Sequence, residues 1–317
     1  MHKAPLDRNS PKMAMTDSNT QSDFSAANAM PIPARRDTIG RRFLRSRRVM
    51  VGLTVLLLIS GMSVLSPILA PYPQRDQNIH RVQLAPFSTS EEGTFHVLGT
   101  DALGRDMLSR MMYGGRISLM VGITVVTMGG LIGVPLGLAS GYFGRVIDTL
   151  IMRVVDVQLA VPFILLAIAI MAVLGTGLWN VIFVLGISSW VGYARIVRST
   201  VLSLREQAFI EAGRSIGLSD IRLILHHLLP NIWTPVIVLA TQGVGGAILA
   251  ESSLTFLGLG ISPLIPTWGA MVADGRNYLT TAWWISTFPG LLLTLTVLSI
   301  YFLGDGLRDV LDPRLRM

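Results

Sequence analysis

Few side chains in this chain are able to do chemistry, and their spacing excludes most reactions. There is no cysteine, so disulfides, thiolate nucleophiles and thiolate metal sites are impossible. Lys3 and Lys12 are the only lysines. Neither follows the glycine-rich turn with which a P-loop cradles nucleotide phosphates, so the chain carries no such ATP site. If ATP drives its work, another subunit must bind it. His226 and His227 are adjacent and point to different sides of a helix, which denies them the i,i+4 geometry of a helical metal pair. Packing or hydrogen bonding accounts for them better. No catalytic, cofactor-binding or metal residue is assigned.

What remains is a stretch whose chemistry would be mechanical, from Gln207 to Asp220. Phe209, Ala212, Gly213 and Ile216 share one helical face, while Gln207, Glu211, Arg214 and Ser215 are polar. Gly217 is placed to stop this helix, because glycine takes the left-handed conformation without steric cost. Ser219 can cap a second helix, which carries Ile221, Leu223, Ile224, Leu225, Leu228 and Leu229 up to Pro230. The pattern predicts a helix, a glycine elbow and a second helix. Such a peg can seat in a groove of another protein and pass motion to the adjoining chain. An ordinary interfacial loop is the plainer reading. Glu211 is expected to organise the elbow through backbone hydrogen bonds or Arg214, or to be a solvated helix-face charge.

The elements that must position this loop are membrane spans. Hydrophobic residues make up 51% of the 317 residues and charged residues 14%, with a mean hydropathy of +0.56. Soluble domains carry about 25% charged residues. The apolar residues lie in long runs rather than amphipathic stripes. The first run is roughly 49–70, ended by Pro71 and Pro73, and five more are expected near 117–142, 155–174, 178–198, 232–258 and 285–304. Residues 1–40 have the composition of a disordered tail, and 41–71 combine a basic flank with the first span. Residues 72–116 read as an outer segment with an interfacial amphipathic helix around 107–112, capped by Thr100 or Asp101. The loop 144–153 is expected to join the second and third spans, and 306–317 to form a C-terminal tail. Prolines 135, 162, 235 and 289 fall inside spans, and Gly129, Gly130, Gly133 and Gly137 have the small-residue spacing of close helix packing.

Arginines orient the chain. On this arrangement fifteen flank the spans on the side of both termini, against six on the other, which predicts cytoplasmic N- and C-termini. The formal net charge of +7 reflects this placement and not nucleic-acid binding, since no basic stripe on a soluble domain exists. Two polar residues lie inside a span, Glu251 toward its outer end and Gln242 deeper. Intramembrane polar groups often mark a pathway or gate, although one near the interface can simply be solvated. Trp283 and Trp284 suit an outer aromatic belt.

The loop resembles the EAA loop of ABC-importer permeases at Glu211, Ala212, Gly213, Gly217, Leu229 and Pro230. Gly213 stands where the pattern has a second alanine. His227 replaces an isoleucine, and His227, Leu229, Pro230 and Asn231 resemble the dipeptide/oligopeptide branch. Leu98-Gly99-Thr100-Asp101, Gly104-Arg105-Asp106, Ala250-Glu251-Ser252-Ser253, Asp274-Gly275-Arg276 and Leu311-Asp312-Pro313-Arg314 are similar to the same branch, over about residues 43 to 317. The chain is thus identified as resembling the C-type permease of a peptide importer. The resemblance implies an all-α membrane protein of six transmembrane helices, the type I ABC importer permease fold, with 117–305 as its ABC transmembrane domain. It implies a homologous second permease, two ATP-binding subunits that hold ATP and magnesium, an extracytoplasmic solute-binding protein and a prokaryotic inner membrane. It places ATPase coupling at Glu211, Ala212, Gly213, Gly217, Leu229 and Pro230. A stand-alone secondary transporter would need charged midplane residues, which are scarce here. A membrane scaffold or sensor is the other alternative.

Overall fold

The computed structural model of the protein describes residues 46–262 and 264–311. The expected tail at 1–40, Arg41, Arg42 and Arg45 of the basic flank, and Asp312, Pro313, Arg314 and Arg316 lie outside the described residues. Helices α1 (Arg47–Val64), α2 (Met107–Phe143), α5 (Leu178–Arg205) and α10 (Trp284–Leu311) are each long and apolar enough to cross a membrane. A fifth such element, Asp220–Phe256, is assembled from α7 (Asp220–Leu223), a π turn (Ile224–Leu228) and α8 (Leu229–Phe256). A sixth crossing exists if α3 (Arg145–Ala160) and α4 (Phe163–Leu174), bent by 88°, are counted as one. Two shorter helices lie between spans, α6 (Ala208–Ser215) between α5 and α7, and α9 (Trp268–Gly275) between α8 and α10, and a single turn, Ser66–Leu69, follows α1.

Local chemistry explains where these helices depart from the sequence expectation. The expected interfacial helix around 107–112 is the first turns of α2. Nothing breaks the chain between Met107 and Gly144, and Pro135 is absorbed within the helix. Met107, Met111 and Met112 are buried in protein and do not lie on lipid. The cap is Asp106 and not Thr100 or Asp101, since its carboxylate accepts the Ser109 N–H at 2.8 Å. The expected loop 144–153 is the start of α3. The straight third span is broken at Pro162, whose ring pushes Val161 into extended backbone (φ −100°, ψ 126°). Near Pro230, which has no N–H to give, the ladder widens into the π turn, so α7 runs into α8 without a loop.

The central packing is α2 against α5. A Cβ added at Gly133 would lie 2.3 Å from the Trp190 carbonyl oxygen, and one at Gly137 2.6 Å from that of Ala194. Gly129 meets Ser189 and Gly141 meets Val201 in the same way, so the contact runs along every fourth residue of α2. Gly130 points elsewhere, and Gly141 extends the ridge beyond the expected set. Helix α8 packs on α2, α5 and α10, while α1 lies across α2 and α10.

The segment 72–106 forms a compact cap on the end that the arginine count assigns to the outside. A short hairpin pairs Ser88 with His96. Asp101 is the hub: its carboxylate accepts the N–H groups of Leu103 (2.8 Å) and Arg105 (2.9 Å), the Arg105 Nε (2.7 Å) and the Arg110 guanidinium. Arg105 and Arg110 also approach Asp274 of α9, at 4.0 and 3.8 Å. Burial holds the Asp274 carboxyl above the usual carboxylate range, against the pull of Arg110 and Arg105. Trp284 is buried, not in an aromatic belt, and donates its indole N–H to the Thr100 carbonyl at 3.1 Å. Trp283 remains half exposed.

Two substitutions test this packing. Gly133→Leu drives a side chain into backbone that has nowhere to move and is expected to lose about 1–3 kcal/mol or more, read as a lower unfolding midpoint in detergent. Asp101→Ala leaves two buried guanidinium groups with only the more distant Asp274 carboxylate and is expected to cost about 3–5 kcal/mol, with Leu103→Ala on the same loop as a mild reference. An unchanged midpoint in Asp101→Ala would show that the hub is dispensable.

Candidate functional site

The elbow predicted from the sequence is present. Helix α6 ends in a left-handed cap: Gly217 has φ +80°, its N–H donates to the Arg214 carbonyl at 3.0 Å, and the Leu218 N–H donates to that of Gly213 at 3.1 Å. Nothing lies within 4 Å of where a Gly217 Cβ would be. The demand at this position is therefore for backbone conformation and not for space. Ser219 occupies the N-cap of α7, but its side chain makes no capping bond.

Of the four residues expected to share one face of α6, only Gly213 turns inward. Ile210 and Gly213 point inward, onto a core formed with Val197, Val201, Leu223, Leu228 and Ile232. Phe209 (40% exposed), Ala212 and Ile216 (77% exposed) face away from the chain. Ile210 wins the inner position because one i,i+3 pair, with glycine at its second member, is all that an eight-residue helix can press against α7. A Cβ on Gly213 would meet Leu223 Cδ2 at 2.9 Å, so glycine brings α6 close to α7 at this point.

Glu211 does not organise the elbow. It is exposed, and its carboxylate has no hydrogen bond or ion pair among the described residues. Arg214 lies instead over the Tyr142 ring, 5.5 Å from the centroid. The Tyr142 hydroxyl donates to Asp220 at 2.6 Å, tying the end of α2 to the start of α7. Arg198 of α5 donates to Asp148 of α3 at 2.7 Å nearby. Sequence reading passed over Tyr142, Arg198 and Asp220. A tyrosine with a polar tip at the end of a glycine-rich span was a usable signal, whereas its partner 78 residues away was not. The His227 ring faces Phe209, with centroids 6.4 Å apart. Leu229 and Pro230 sit at the π turn and contribute to its geometry, with Leu229 half-buried and Pro230 exposed.

Glu251 lies fully inside the protein. It accepts the Thr255 hydroxyl at 2.9 Å and that of Thr267 at 3.1 Å, while Thr267 caps α9 by accepting the Ala270 N–H. These donors compensate its burial and join α8 to α9. A cavity of about 1040 Å³ between α1, α2, α8 and α10 has Arg75 and Arg116 in its lining but not Glu251 or Gln242. Gln242 donates its amide to Asp305 at 3.1 Å and lines a separate cavity of about 360 Å³, together with Thr234, Leu239 and Arg308.

A long, glycine-seated helical bundle with a helical elbow is the architecture of a type I ABC importer permease. Residues 133–317 match the family described as binding-protein-dependent transport system inner membrane component, and residues 37–86 match the N-terminal TM domain of oligopeptide transport permease C. The chain belongs to the binding-protein-dependent transport system inner membrane component family. It is 41% identical, over 87% of its length and 89% of the relative's, to the dipeptide transport system permease protein DppC of Alkalihalophilus pseudofirmus. It is 41% identical, over 86% and 90%, to the di/tripeptide transport system permease protein DppC of Pseudomonas aeruginosa. To the glutathione transport system permease protein GsiD of Pectobacterium atrosepticum it is 42% identical, over 87% and 90%. The fold matches a chain of the MetNI methionine ABC transporter in an inward-facing conformation, with a TM-score of 0.54 and 21% identity over 65% of this chain and 98% of that one.

A substitution separates conformation from contact at the elbow. Gly217→Val removes nothing and clashes with nothing, but it puts a β-branched residue in the left-handed region at a cost of about 1–2 kcal/mol. Membrane insertion should persist and the elbow should loosen, seen as faster proteolysis between Ser215 and Asp220. Protection equal to wild type would contradict the backbone argument.

Proposed function

We propose that this chain is the C-type permease of an ATP-driven importer of peptides or related small solutes. An extracytoplasmic binding protein delivers the cargo, a homologous second permease completes the pathway, and two ATP-binding subunits press on the elbow. The observation that carries this reading is the outward face of α6. Phe209, Ala212 and Ile216 stand exposed beside the unpaired Glu211, on a helix whose other face is locked onto α5 and α7. Exposed apolar residues clustered on a rigid short helix fit a groove in a partner. The missing P-loop lysine puts nucleotide binding, and with it ATP hydrolysis, on that partner. The names of the relatives support peptide-type cargo.

The energetic requirement is differential. To invert a pathway from 1:99 to 99:1, nucleotide must favour one permease state by about 5.5 kcal/mol. Force applied at α6 reaches α2 through Tyr142–Asp220 and α8 through the π turn, so both spans can receive it. Cytoplasmic termini in an inner membrane agree with the arginine bias. Arg81, Arg105 and Arg110, half of the outer arginines, are tied into ion pairs with Asp and Glu in the outer cap.

The test is the reconstituted complex. Glu211→Ala and Phe209→Ala should each lower binding-protein-stimulated ATP hydrolysis at least about tenfold, the loss of one anchored contact of about 1.4 kcal/mol or more. The permease pair should still assemble. ATP-independent uptake by this chain alone in liposomes would overturn the proposal.

A further inference from the structure

The outer arginines fall into two sets. Arg81, Arg105 and Arg110 are in ion pairs. Arg276 lies over the Phe256 ring, 5.4 Å from its centroid, and donates to the Phe256 carbonyl at 3.4 Å. Arg75 and Arg116 remain. Both are exposed, and neither has a hydrogen bond or ion pair among the described residues. Both line the same cavity, the one of about 1040 Å³ between α1, α2, α8 and α10. Arg75 follows the turn after α1, and Arg116 immediately precedes the long apolar run of α2, so the two guanidinium groups stand at the outer mouth. From there the cavity passes Ile117, Met120 and Ile123 of α2 and reaches Ile300 and Leu303 in the inner half of α10. Its wall is mostly apolar, and no aspartate or glutamate lines it.

The geometry points to this cavity as a peptide site in which Arg75 and Arg116 hold the C-terminal carboxylate of the cargo at the outer mouth. This rests on the permease reading above. Of the groups that every linear peptide carries, the carboxylate is the one that matches a pair of free guanidinium groups, whose planar forks accept it bidentately. The ammonium end finds no counter-charge in this lining, so the carboxylate end is the one held. Below the mouth, apolar walls with few polar groups are what a ligand site of this size needs. Ile117, Met120, Ile123 and Val244 give contact without direction, which suits side chains of varied kind. The hydroxyls of Ser60 and Thr124 also line the wall and make no hydrogen bond among the described residues. They suit a peptide backbone better than a lipid tail, which has nothing to bond to them.

The chain has no cysteine, so Ile123→Cys, at a position that is 57% exposed in the cavity wall, gives it a single reactive thiol. The experiment follows maleimide labelling of this chain in the complete importer, with its second permease and ATP-binding subunits, in phosphatidylcholine proteoliposomes with a non-hydrolysable nucleotide. A tripeptide added directly should slow the labelling, and the same peptide amidated at its C-terminus should need about fivefold more for equal protection, the size of an exposed ion pair. With Arg116→Gln added, acid and amide should protect at the same concentration, and Arg116→Lys should restore the preference for the acid. Ile79→Cys, on the exposed cap and outside the cavity lining, should label at one rate throughout. Absence of protection, or protection that ignores the carboxylate in the wild-type background, would overturn the inference. So would protection by added phosphatidylglycerol alone, which would make the cavity a lipid seat. An Ile123→Cys thiol that never labels in the assembled complex would give the cavity to the second permease. If the wild-type complex, supplied with its binding protein and ATP, imports no peptide, the permease reading itself falls, and this one with it. Import without protection removes this inference alone.

Discussion

The rest of the molecule depends on the backbone contact between α2 and α5. Helix α2 has 37 residues and, at 1.5 Å per residue, is about 55 Å long. It exceeds the bilayer core, and its two ends serve different sites. Asp106 caps its first turn beside the Asp101 hub, and Tyr142 at its last turn holds Asp220 of the elbow. The glycine ridge keeps α5 at backbone distance along the length between. Without a hydrophobic driving force between helices in lipid, this close fit supplies the rigidity between the outer hub and the elbow.

Charge placement follows the same economy. Acidic residues in the interior hold elements together: Glu251, the acidic pathway or gate candidate, joins α8 to α9, and Asp101 and Asp274 gather the arginines of the outer cap. Among the described residues Glu211 at the elbow has no side-chain partner, and the buried polar atoms without one are Ser66 Oγ, Arg110 Nη2 and the Tyr193 hydroxyl. Of these Glu211 alone is exposed, where a partner protein can reach it.

The elbow was the most legible part of the site, because Gly217 states a backbone requirement in its own residue type. The face that α6 presents was not legible. Phe209, Ala212 and Ile216 and the pair Ile210 and Gly213 are both reasonable apolar faces on a helix of eight residues, and only packing on Leu223 chooses between them. The straight third span was misread for a similar reason. Apolar runs report what lipid or protein can cover, while the bend at Val161 and Pro162 is a backbone event within such a run.

The sequence by itself determined the class of solvent, the number of apolar runs, the small-residue ridge, the glycine elbow and the absence of a P-loop lysine. Each of these is local, written in residue type or in spacing along one helix. The tertiary structure alone decided that Asp106 caps α2, that Glu251 is a fastener, that Tyr142 reaches Asp220, and that the Tyr193 hydroxyl is buried without a partner. These depend on distances between residues tens of positions apart. Such distances are set by how closely α2 and α5 approach, and no single stretch of the chain records them.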